Sequence, residues 1–369
     1  MNVGIITFHR TTNYGACLQA LATQTILEKL GQNPTLIDYD PDSISLTYAH
    51  FSLKKYVMFV KQPKMMLRLI MSDVRYAKIN KQLDNAFASF YKKYYKLSPI
   101  RYKDYDSLKR SVPLIDVCIT GSDQVWNCDI TKGFDPAFFL KFGSKNMRRI
   151  AYAASLGRDD FSPSEQQEMF DLLHSFDAIS IREEDGADFL RKGTGKRVTI
   201  CPDPTLLLNA QQWTDLFDIK RSAEKYIFVY ALYPNPKLDE VVLELQRNTG
   251  LPIVRIGNRS VYDNEKTIHI ADPCRYVELI ANAEYVVTNS FHGTAFSINF
   301  SKTFWCILGQ SRNSRMQNLL EKVGLQSRAA HSFAKIDVTE INYEEPQKKL
   351  NDYRAVGMNY LKEGLEITE

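Results

Sequence analysis

The fold is predicted from the pattern of residues 2–39, NVGIITFHRTTNYGACLQALATQTILEKLGQNPTLIDY. The apolar run over 3–8 predicts a strand, and a polar loop then leads into a helical pattern over 17–30 that Gly31 ends. A second apolar run over 35–39 predicts another strand. Because a strand–loop–helix–strand unit is the usual opening of a parallel α/β sheet, we predict such a sheet at the N-terminus.

The same alternation of strands and helices continues on both sides of residues 202–225. Further strands are predicted at 114–120, 149–153, 178–181, 198–201, 226–230, 252–256, 285–288 and 303–307. Two such series predict an α/β fold with two Rossmann-like domains facing a cleft. We place the first domain at 1–205, the second at 206–340, and a C-terminal helix at 341–369 that packs back on the first domain.

The composition is that of an ordinary globular protein with an uneven charge distribution. Of the 369 residues, 44% are apolar and 24% are charged, which excludes a collagen-like, disordered or low-complexity chain. The net charge is only +4. Residues 51–110 nevertheless carry 15 basic and 4 acidic side chains, a net of +11, whereas the rest of the chain has a net of −7. We predict that this basic segment is a helical insertion in the first domain.

The N-terminus and the cysteines favour a cytoplasmic protein. The first residues lack the basic region and long apolar run of a signal peptide, and no window reaches the roughly 18 apolar residues of a spanning helix. The six cysteines contain no closely spaced pair, so we expect structural thiols rather than disulfides or metal ligands. We therefore expect a protein that is at most peripheral at the inner membrane surface.

The polar residues that follow predicted strands are the candidate site residues, because ligands of open α/β sheets bind beyond the carboxyl ends of strands. In Asn289-Ser290-Phe291-His292-Gly293, a strand runs into a helix N-terminus, where backbone N–H groups favour an anion. The imidazole of His292 suits general acid catalysis near neutral pH. The alternative is a histidine that only caps the helix.

Two further clusters follow strands in the first domain. Arg182 is either the partner of a nearby carboxylate, Glu183 or Glu184, or a bidentate ligand for a substrate carboxylate or phosphate. In TGSDQVWN, residues 120–127, Asp123 is either a base for a sugar hydroxyl or a helix cap. Trp126 in the same cluster is either a stacking platform for a sugar or a packed core residue.

Several motifs are missing, and their absence excludes whole classes of enzyme. The chain has neither GxGxxG nor GxxxxGK[ST], which disfavours nicotinamide and P-loop nucleotide sites. It also lacks HExxH, GxSxG and paired metal-ligand spacing, which disfavours metallohydrolases and α/β-hydrolases.

The motifs taken together resemble the polysaccharide pyruvyl transferase family, and the resemblance extends from about residue 2 to residue 328. It is carried by the order and spacing of six segments: NYGACLQALA (13–22), TGSDQVWN (120–127), AYAASLG (151–157), SIREE (180–184), CPDPTLLL (201–208) and TNSFHGTAFSINF (288–300). The resemblance implies the two-domain GT-B architecture. It also implies transfer of a pyruvyl group from phosphoenolpyruvate to a sugar as a cyclic ketal.

The resemblance implies a catalytic role for His292 and a donor-binding role for Arg182. Some family members have Arg-Leu-His where this chain has Ser290-Phe291-His292, so another cation must hold the donor phosphate. The candidates for that cation are Arg10, Arg312 and Arg315. We expect Asn289, Ser290 and Gly293 to complete the donor site, and no metal or cofactor to be required.

The acceptor is expected to be a glycan or a lipid-linked oligosaccharide, with Asp123 as the base that takes the hydroxyl proton. The expected acceptor-binding residues are Asn13, Tyr14, Ser122, Gln124 and Trp126. Two other classes stay open: a GT-B glycosyltransferase that uses a nucleotide sugar, and a non-catalytic sugar-binding protein.

The basic segment 51–110 has two interpretations. Basic patches with aromatic residues are typical of nucleic-acid binding, but no recognition motif accompanies this one, so we expect no nucleic-acid partner. The segment is either a solvated helix, or a surface that contacts anionic lipid headgroups or a diphosphate-linked acceptor.

Overall fold

The structure, a computed structural model, describes most of the chain. The described residues are 1–48, 56, 62–158, 160–257, 261–262, 265–309, 313–332 and 336–367. They form two compact units. The N-terminal unit is Met1–Pro204 with Val356–Glu369, and the C-terminal unit is Thr205–Ala355.

The N-terminal unit is built on a sheet whose described strands all run parallel. These strands are β1 (Asn2–Ile6), β2 (Asn33–Tyr39), β3 (Leu97–Tyr102), β4 (Val117–Thr120), β5 (Arg148–Ala154), β6 (Ala178–Ile181) and β7 (Val198–Ile200). Their order is β3-β2-β1-β4-β5-β6-β7, so the direction in which strands are added reverses between β1 and β4. This is the strand order of a Rossmann sheet, and its ligand crevice is expected at that reversal.

The helices of the N-terminal unit cover the sheet. They are α1 (Tyr14–Lys29), α2 (Asp42–Tyr48), α3 (Pro63–Tyr94), α4 (Tyr105–Arg110), α5 (Cys128–Thr131), α6 (Pro163–Leu173) and α7 (Glu184–Thr194). Helix α1 begins where the Asn13 side chain accepts a hydrogen bond from the Ala16 backbone N–H. It is buried on almost every side, because the sheet covers one face and aromatic residues of α3 contact another, as in the Tyr14–Phe87 ring contact.

The C-terminal unit repeats the arrangement. Its described strands are β8 (Ile227–Tyr230), β9 (Ile253–Ile256), β10 (Glu265–Ile268), β11 (Tyr285–Thr288), β12 (Thr303–Ile307) and β13 (Ala329–Ala330), in the order β10-β9-β8-β11-β12-β13. Its helices are α8 (Pro204–Leu207), α9 (Ala210–Phe217), α10 (Pro236–Thr249), α11 (Pro273–Asn282), α12 (Phe291–Asn299), α13 (Ser314–Val323) and α14 (Glu344–Gly364), with a 3₁₀ turn at Gln326–Arg328. The reversal of strand order here lies between β8 and β11.

The basic segment is not wholly a helical insertion, which corrects the sequence prediction. Besides α3 and α4 it supplies β3, whose residues Leu97 and Arg101 pair with Leu36 and Asp38 of β2. Strand β3 contains Pro99 and is half exposed, since it is the edge of the sheet. A proline and an exposed isoleucine hide the alternation by which a strand is recognised, so the sequence did not reveal it. Strands β10 and β13 escaped prediction as well.

Helix α14 belongs to both units. In the N-terminal unit, the Tyr360 hydroxyl donates to the Ala151 carbonyl at 2.8 Å. In the C-terminal unit, Arg354 donates to the carbonyl of Leu206 and to the side chain of Asn299. Residues 344–355 therefore lie with the C-terminal unit, whereas the sequence had assigned the whole terminal helix to the first domain. Among the residues described, no helix combines the length and apolar composition needed to cross a lipid bilayer.

Candidate active site

A buried polar network joins the carboxyl ends of four strands in the N-terminal unit. Ser122, two residues after β4, donates its backbone N–H to Gln19 Oε1 at 3.2 Å. Its hydroxyl donates to Asp203 Oδ2, which follows β7, at 3.3 Å. Gln19 in turn donates to Thr7, just beyond β1, at 2.9 Å. The network therefore fixes the loops at the edge where a parallel sheet binds its ligands.

Arg182, at the end of β6, is the cationic member of this network. Its Nη1 donates to Asp203 Oδ2 at 2.6 Å, and the two side chains are 3% and 0% exposed. This carboxylate partner, Asp203, was not considered from the sequence, which offered Glu183 and Glu184. Glu183 accepts a hydrogen bond from the Ser155 hydroxyl. A buried guanidinium held in this way has a defined orientation, which bidentate binding of a carboxylate or phosphate requires.

Asp123 and Gln124 are half-buried at the same edge. Asp123 Oδ1 accepts the backbone N–H of Gln124 at 2.7 Å, and its carbonyl accepts the N–H of Ser155. Gln124 Oε1 accepts from Asn127 at 2.9 Å. A carboxylate held by a backbone N–H is oriented, and its partial exposure leaves it able to meet a hydroxyl.

Trp126 cannot serve as a sugar platform, which corrects one acceptor-site prediction. The side chain is fully buried, its ring stacks on Phe139 at 5.6 Å, and its indole N–H donates to the Phe138 carbonyl. The turn after β4 directs the ring into the core, where its large apolar area is removed from water. Ser122 is also fully buried and Tyr14 is only 5% exposed, so neither offers a surface to an acceptor.

A cavity of about 200 Å³ opens beside the loop after β1. It is lined by Arg10, Thr11, Thr12, Asp40, Ser45, Asp84, Phe87, Tyr91 and Arg101. Arg10 binds Asp38 through two N–H groups, at 2.5 and 2.7 Å. Burial alone would raise the pKa of Asp38, but the hydrogen bonds from Arg10 and His9 outweigh it and hold that pKa well below its usual range. Arg10 is thus committed to Asp38, which weakens its case as the donor-phosphate ligand.

In the C-terminal unit, the turn between β11 and α12 is held by its own polar side chains. Asn289 accepts the backbone N–H of Leu232 at 2.7 Å and donates to the Tyr233 carbonyl at 3.0 Å. It therefore ties the loop after β8 to the end of β11. Ser290 is the helix cap, since its hydroxyl accepts the N–H of Gly293. Both residues position the turn, whereas the sequence had assigned them to donor binding.

Gly293 permits the close approach of α12 to the end of β11. A Cβ atom at this position would lie 2.4 Å from Thr288 Oγ1 and 3.0 Å from Thr288 Cβ. Any larger residue would therefore push the first turn of the helix away from the strand. Glycine serves helix–strand packing here, in the way that the last glycine of a dinucleotide fingerprint does.

His292 lies in that first turn, half-buried, with its ring perpendicular to that of Phe291 at 5.1 Å. Strand β11 is adjacent to β8, so His292 stands where the strand order of the second sheet reverses. Arg315 lies in the first turn of α13, which follows the next strand, β12. Arg312 is outside the described residues. The C-terminal unit thus supplies a histidine and a cation from neighbouring strand ends.

The comparisons with known proteins concern the family and the fold. The sequence model for the polysaccharide pyruvyl transferase family matches residues 13–311. The chain belongs to the polysaccharide pyruvyl transferase family. The match contains every candidate site residue from Asn13 to Gly293, but it leaves out Arg10, Arg312 and Arg315. The search of curated proteins found no match to the chain.

A solved epimerase structure is similar to this chain in fold. The UDP-GlcNAc 2-epimerase from Neisseria meningitidis, bound to UDP-GlcNAc, is similar with a TM-score of 0.50 and 12% identity over 100% of both chains. The S. aureus MnaA–UDP co-structure has a TM-score of 0.49 and 12% identity over 100% of this chain and 97% of that one. At such identities the likeness concerns the fold alone. The predicted α/β class with two Rossmann-like domains is confirmed.

Asp203 and Gln19 are the site residues that the sequence did not single out. Asp203 stands between two prolines, and that context was interpreted as a chain break rather than as a ligand. Gln19 is a polar residue with apolar neighbours on both sides in α1, at Leu18 and Ala20, which is a weak but real signal of a buried hydrogen-bond role. In the described part of the chain, no group of three or more His, Cys, Asp and Glu side chains is arranged to hold a metal ion.

Proposed function

We propose that this family member transfers the pyruvyl group of phosphoenolpyruvate to two hydroxyls of a sugar, forming a cyclic ketal and releasing phosphate. The observation that carries the proposal is the family match together with His292 in the first turn of α12, at the strand reversal of its sheet. A helix N-terminus attracts an anionic donor, and an imidazole beside it is suited to deliver a proton.

Two of the three proton transfers in the proposed reaction are assigned to side chains of this chain. His292 donates a proton to the methylene carbon of phosphoenolpyruvate, which leaves an oxocarbenium-like centre at the adjacent carbon. A sugar hydroxyl attacks that centre, and Asp123 takes its proton. The C–O bond to phosphate then breaks and the phosphate leaves with the electron pair. The second hydroxyl closes the ring, and its proton passes to solvent or to the phosphate.

Two cations support donor binding in this proposal. Arg182 carries the guanidinium that Asp203 orients, and it is assigned to the donor carboxylate or phosphate. Arg315 is assigned the role of the arginine that some family members have two residues before the histidine. Its support is its place after β12, the strand adjacent to β11.

The acceptor is proposed to be a sugar of a surface polysaccharide, such as an exopolysaccharide or capsule, or of its lipid-linked precursor. We propose that it reaches the N-terminal unit at the cavity beside Arg10, because Trp126, Tyr14 and Ser122 are buried. Asn13 and Gln124, both half-buried, border this edge of the sheet. Since phosphoenolpyruvate is a cytoplasmic metabolite, the proposed reaction belongs in the cytoplasm.

The decisive experiment measures phosphate release from phosphoenolpyruvate in the presence of candidate sugars, with mass spectrometry of the products. His292→Ala is expected to lower turnover by at least about a hundredfold, the effect of losing a general acid. The matched control is His331→Ala, which changes an exposed histidine of the same unit and should keep full turnover. Unfolding temperatures of both variants check that the fold is retained.

Two outcomes would contradict the proposal. Retained phosphate release by His292→Ala would remove the histidine from the chemistry. Thermal stabilisation by a nucleotide sugar but not by phosphoenolpyruvate would favour a glycosyltransferase instead. A sugar whose mass increases by one pyruvyl ketal would establish the reaction class.

A further inference from the structure

The first half of α3 carries large apolar side chains that stay exposed among the residues that the structure describes. Leu67, Met71 and Val74 are 57%, 64% and 63% exposed. Their spacing of four and three residues places them on one side of the helix. We call these three residues the α3 stripe. A row of large exposed apolar side chains on a helix surface that also carries charges indicates an interaction site.

The other side of α3 attaches the helix to its unit. Its buried residues are Asp73, Asn80, Phe87, Phe90 and Tyr91. Asp73 accepts a hydrogen bond from the Tyr56 hydroxyl at 2.8 Å, and the aromatic residues pack towards α1 and the loop after β1. Because this side is committed, the α3 stripe faces away from the unit.

The charges around the α3 stripe have one sign. The exposed cations between residues 62 and 83 are Lys64, Arg68, Arg75, Lys78 and Lys81. The one acidic side chain in the same span, Asp73, is buried on the opposite side and bound to Tyr56. The exposed surface of this half-helix therefore presents five positive charges and no negative one.

We propose that the α3 stripe and its cations dock on an anionic lipid surface, with α3 lying in the plane of the interface. Apolar side chains on one helix face with lysines and arginines around them are the pattern of interfacial helices. Each cation close to an anionic surface strengthens binding by roughly fivefold, and the apolar side chains add the burial that a purely electrostatic contact lacks.

A lipid surface is favoured over a protein partner by the geometry of the same helix. The second half of α3 supplies Asp84, Phe87 and Tyr91 to the cavity beside Arg10. From Val74 to Phe87 the helix rises about 20 Å. Helix α3 thus leads from the α3 stripe to the cavity, as an acceptor attached to a membrane lipid would require. The delivery of a lipid-linked acceptor to the cavity rests on the proposed function, but the proposed binding of α3 to lipid does not.

The test is co-sedimentation of the full chain with vesicles of phosphatidylcholine alone and of phosphatidylcholine mixed with phosphatidylglycerol. Wild-type protein is expected to bind the mixed vesicles more tightly and to be released by salt. Changing Leu67, Met71 and Val74 together to serine should abolish most binding. Reversal of Lys64, Arg68 and Lys78 to glutamate should weaken it by at least about a hundredfold, since the loss of each of the three cations alone costs roughly fivefold.

The controls are Leu114→Ser and Lys348→Glu, which change an exposed leucine and an exposed lysine elsewhere. Both should bind as wild type does. All substituted positions are exposed, and unfolding temperatures confirm intact protein. Phosphate release with a soluble sugar should be unchanged in the stripe variants, so failure of lipid docking and failure of the proposed function give different results.

Three results would overturn the proposal. Equal binding to neutral and anionic vesicles would show that charge does not contribute to binding. Unchanged binding by the serine variant would show that the α3 stripe does not contact the lipid. Absence of vesicle binding, with wild-type protein dimeric and the serine variant monomeric, would show that a second copy of the chain covers this face.

Discussion

Replacing Asp203 with asparagine tests the buried pair that holds Arg182. Asparagine has nearly the same shape as aspartate, so the Ser122 hydroxyl keeps an oxygen to which it can donate. The negative charge is lost, however, and Arg182 keeps its positive charge in a place where its side chain is only 3% exposed. The substitution therefore isolates the charge of the pair from its packing.

The expected loss is about 3–5 kcal/mol in the free energy of unfolding of the N-terminal unit. Removing one partner of a buried ion pair costs this much, because the remaining ion is desolvated without compensation. The pair joins atoms 2.6 Å apart and its carboxylate is 0% exposed, so water has little access to relieve the cost. Asp129→Asn is the matched control. Asp129 binds Arg158 at 2.9 Å but is 51% exposed, and its loss should cost less than about 1 kcal/mol.

Hydrogen exchange measured by mass spectrometry suits this prediction, because it reports on each unit separately. Peptides from β6 and β7 should exchange roughly a hundredfold to a few thousandfold faster in Asp203→Asn, at about 1.4 kcal/mol for each factor of ten. Peptides from β8 and β11 serve as the internal reference. The double variant Arg182→Met with Asp203→Leu should be more stable than Asp203→Asn, since it leaves no buried charge.

If Asp203→Asn and Asp129→Asn accelerate hydrogen exchange by the same small factor, the buried ion pair does not contribute the expected free energy. That result would mean that Arg182 finds water or another anion when Asp203 is neutral. A readout of donor binding adds a second criterion. If Asp203 positions Arg182 for phosphoenolpyruvate, the KM for that donor rises in Asp203→Asn more than kcat falls.

Three further predictions concern packing and charge. Trp126→Ala should lower the free energy of unfolding by about 3–5 kcal/mol, measured by urea denaturation, whereas a selective loss of acceptor affinity in a fully stable protein would contradict its core position. Gly293→Ala should cost about 1–3 kcal/mol in the free energy of unfolding and lower turnover, because its Cβ would meet Thr288. The control is Gly257→Ala, whose Cβ would lie 3.5 Å from Arg255 Nε, an ordinary contact distance. Equal effects of the two substitutions would be evidence against the close approach. Wild-type protein should be more stable than Asp38→Asn by a constant amount above about pH 4, and this difference in the free energy of unfolding should shrink as the pH falls below that value. The reason is that the pKa of Asp38 is lowered in the folded state. A difference that does not change with pH in acid denaturation would be inconsistent with that lowered pKa.

The sequence alone was sufficient for the elements whose signal is local. Strand β11 and the start of α12 were located from an apolar run followed by a polar turn, a glycine and small residues, and the structure places the helix cap at Ser290. Neighbouring residues determine such a signal through hydrophobic periodicity and capping chemistry. Strand β3 lacks such a local signal, because Pro99 and the exposed Ile100 interrupt the alternation of apolar and polar residues. Its position at the edge of the sheet depends instead on pairing with β2.

The pairing of side chains was decided by tertiary structure. Arg182 has two carboxylates beside it in the chain, and it also pairs with Asp203, 21 residues further on, because β6 and β7 run parallel and end at the same edge. Trp126 follows a strand in the position of a ligand-binding aromatic residue, but the turn after β4 aims it at Phe139.

Residue types and their order thus determined the α/β class, the family resemblance and the positions of Arg182 and His292 at strand ends. Tertiary structure alone decided which of these side chains are buried, what holds them, and that Leu67, Met71 and Val74 face outward. The physical reason is that periodicity and capping act between residues a few positions apart, whereas burial and ion pairing depend on which strand ends the sheet brings together.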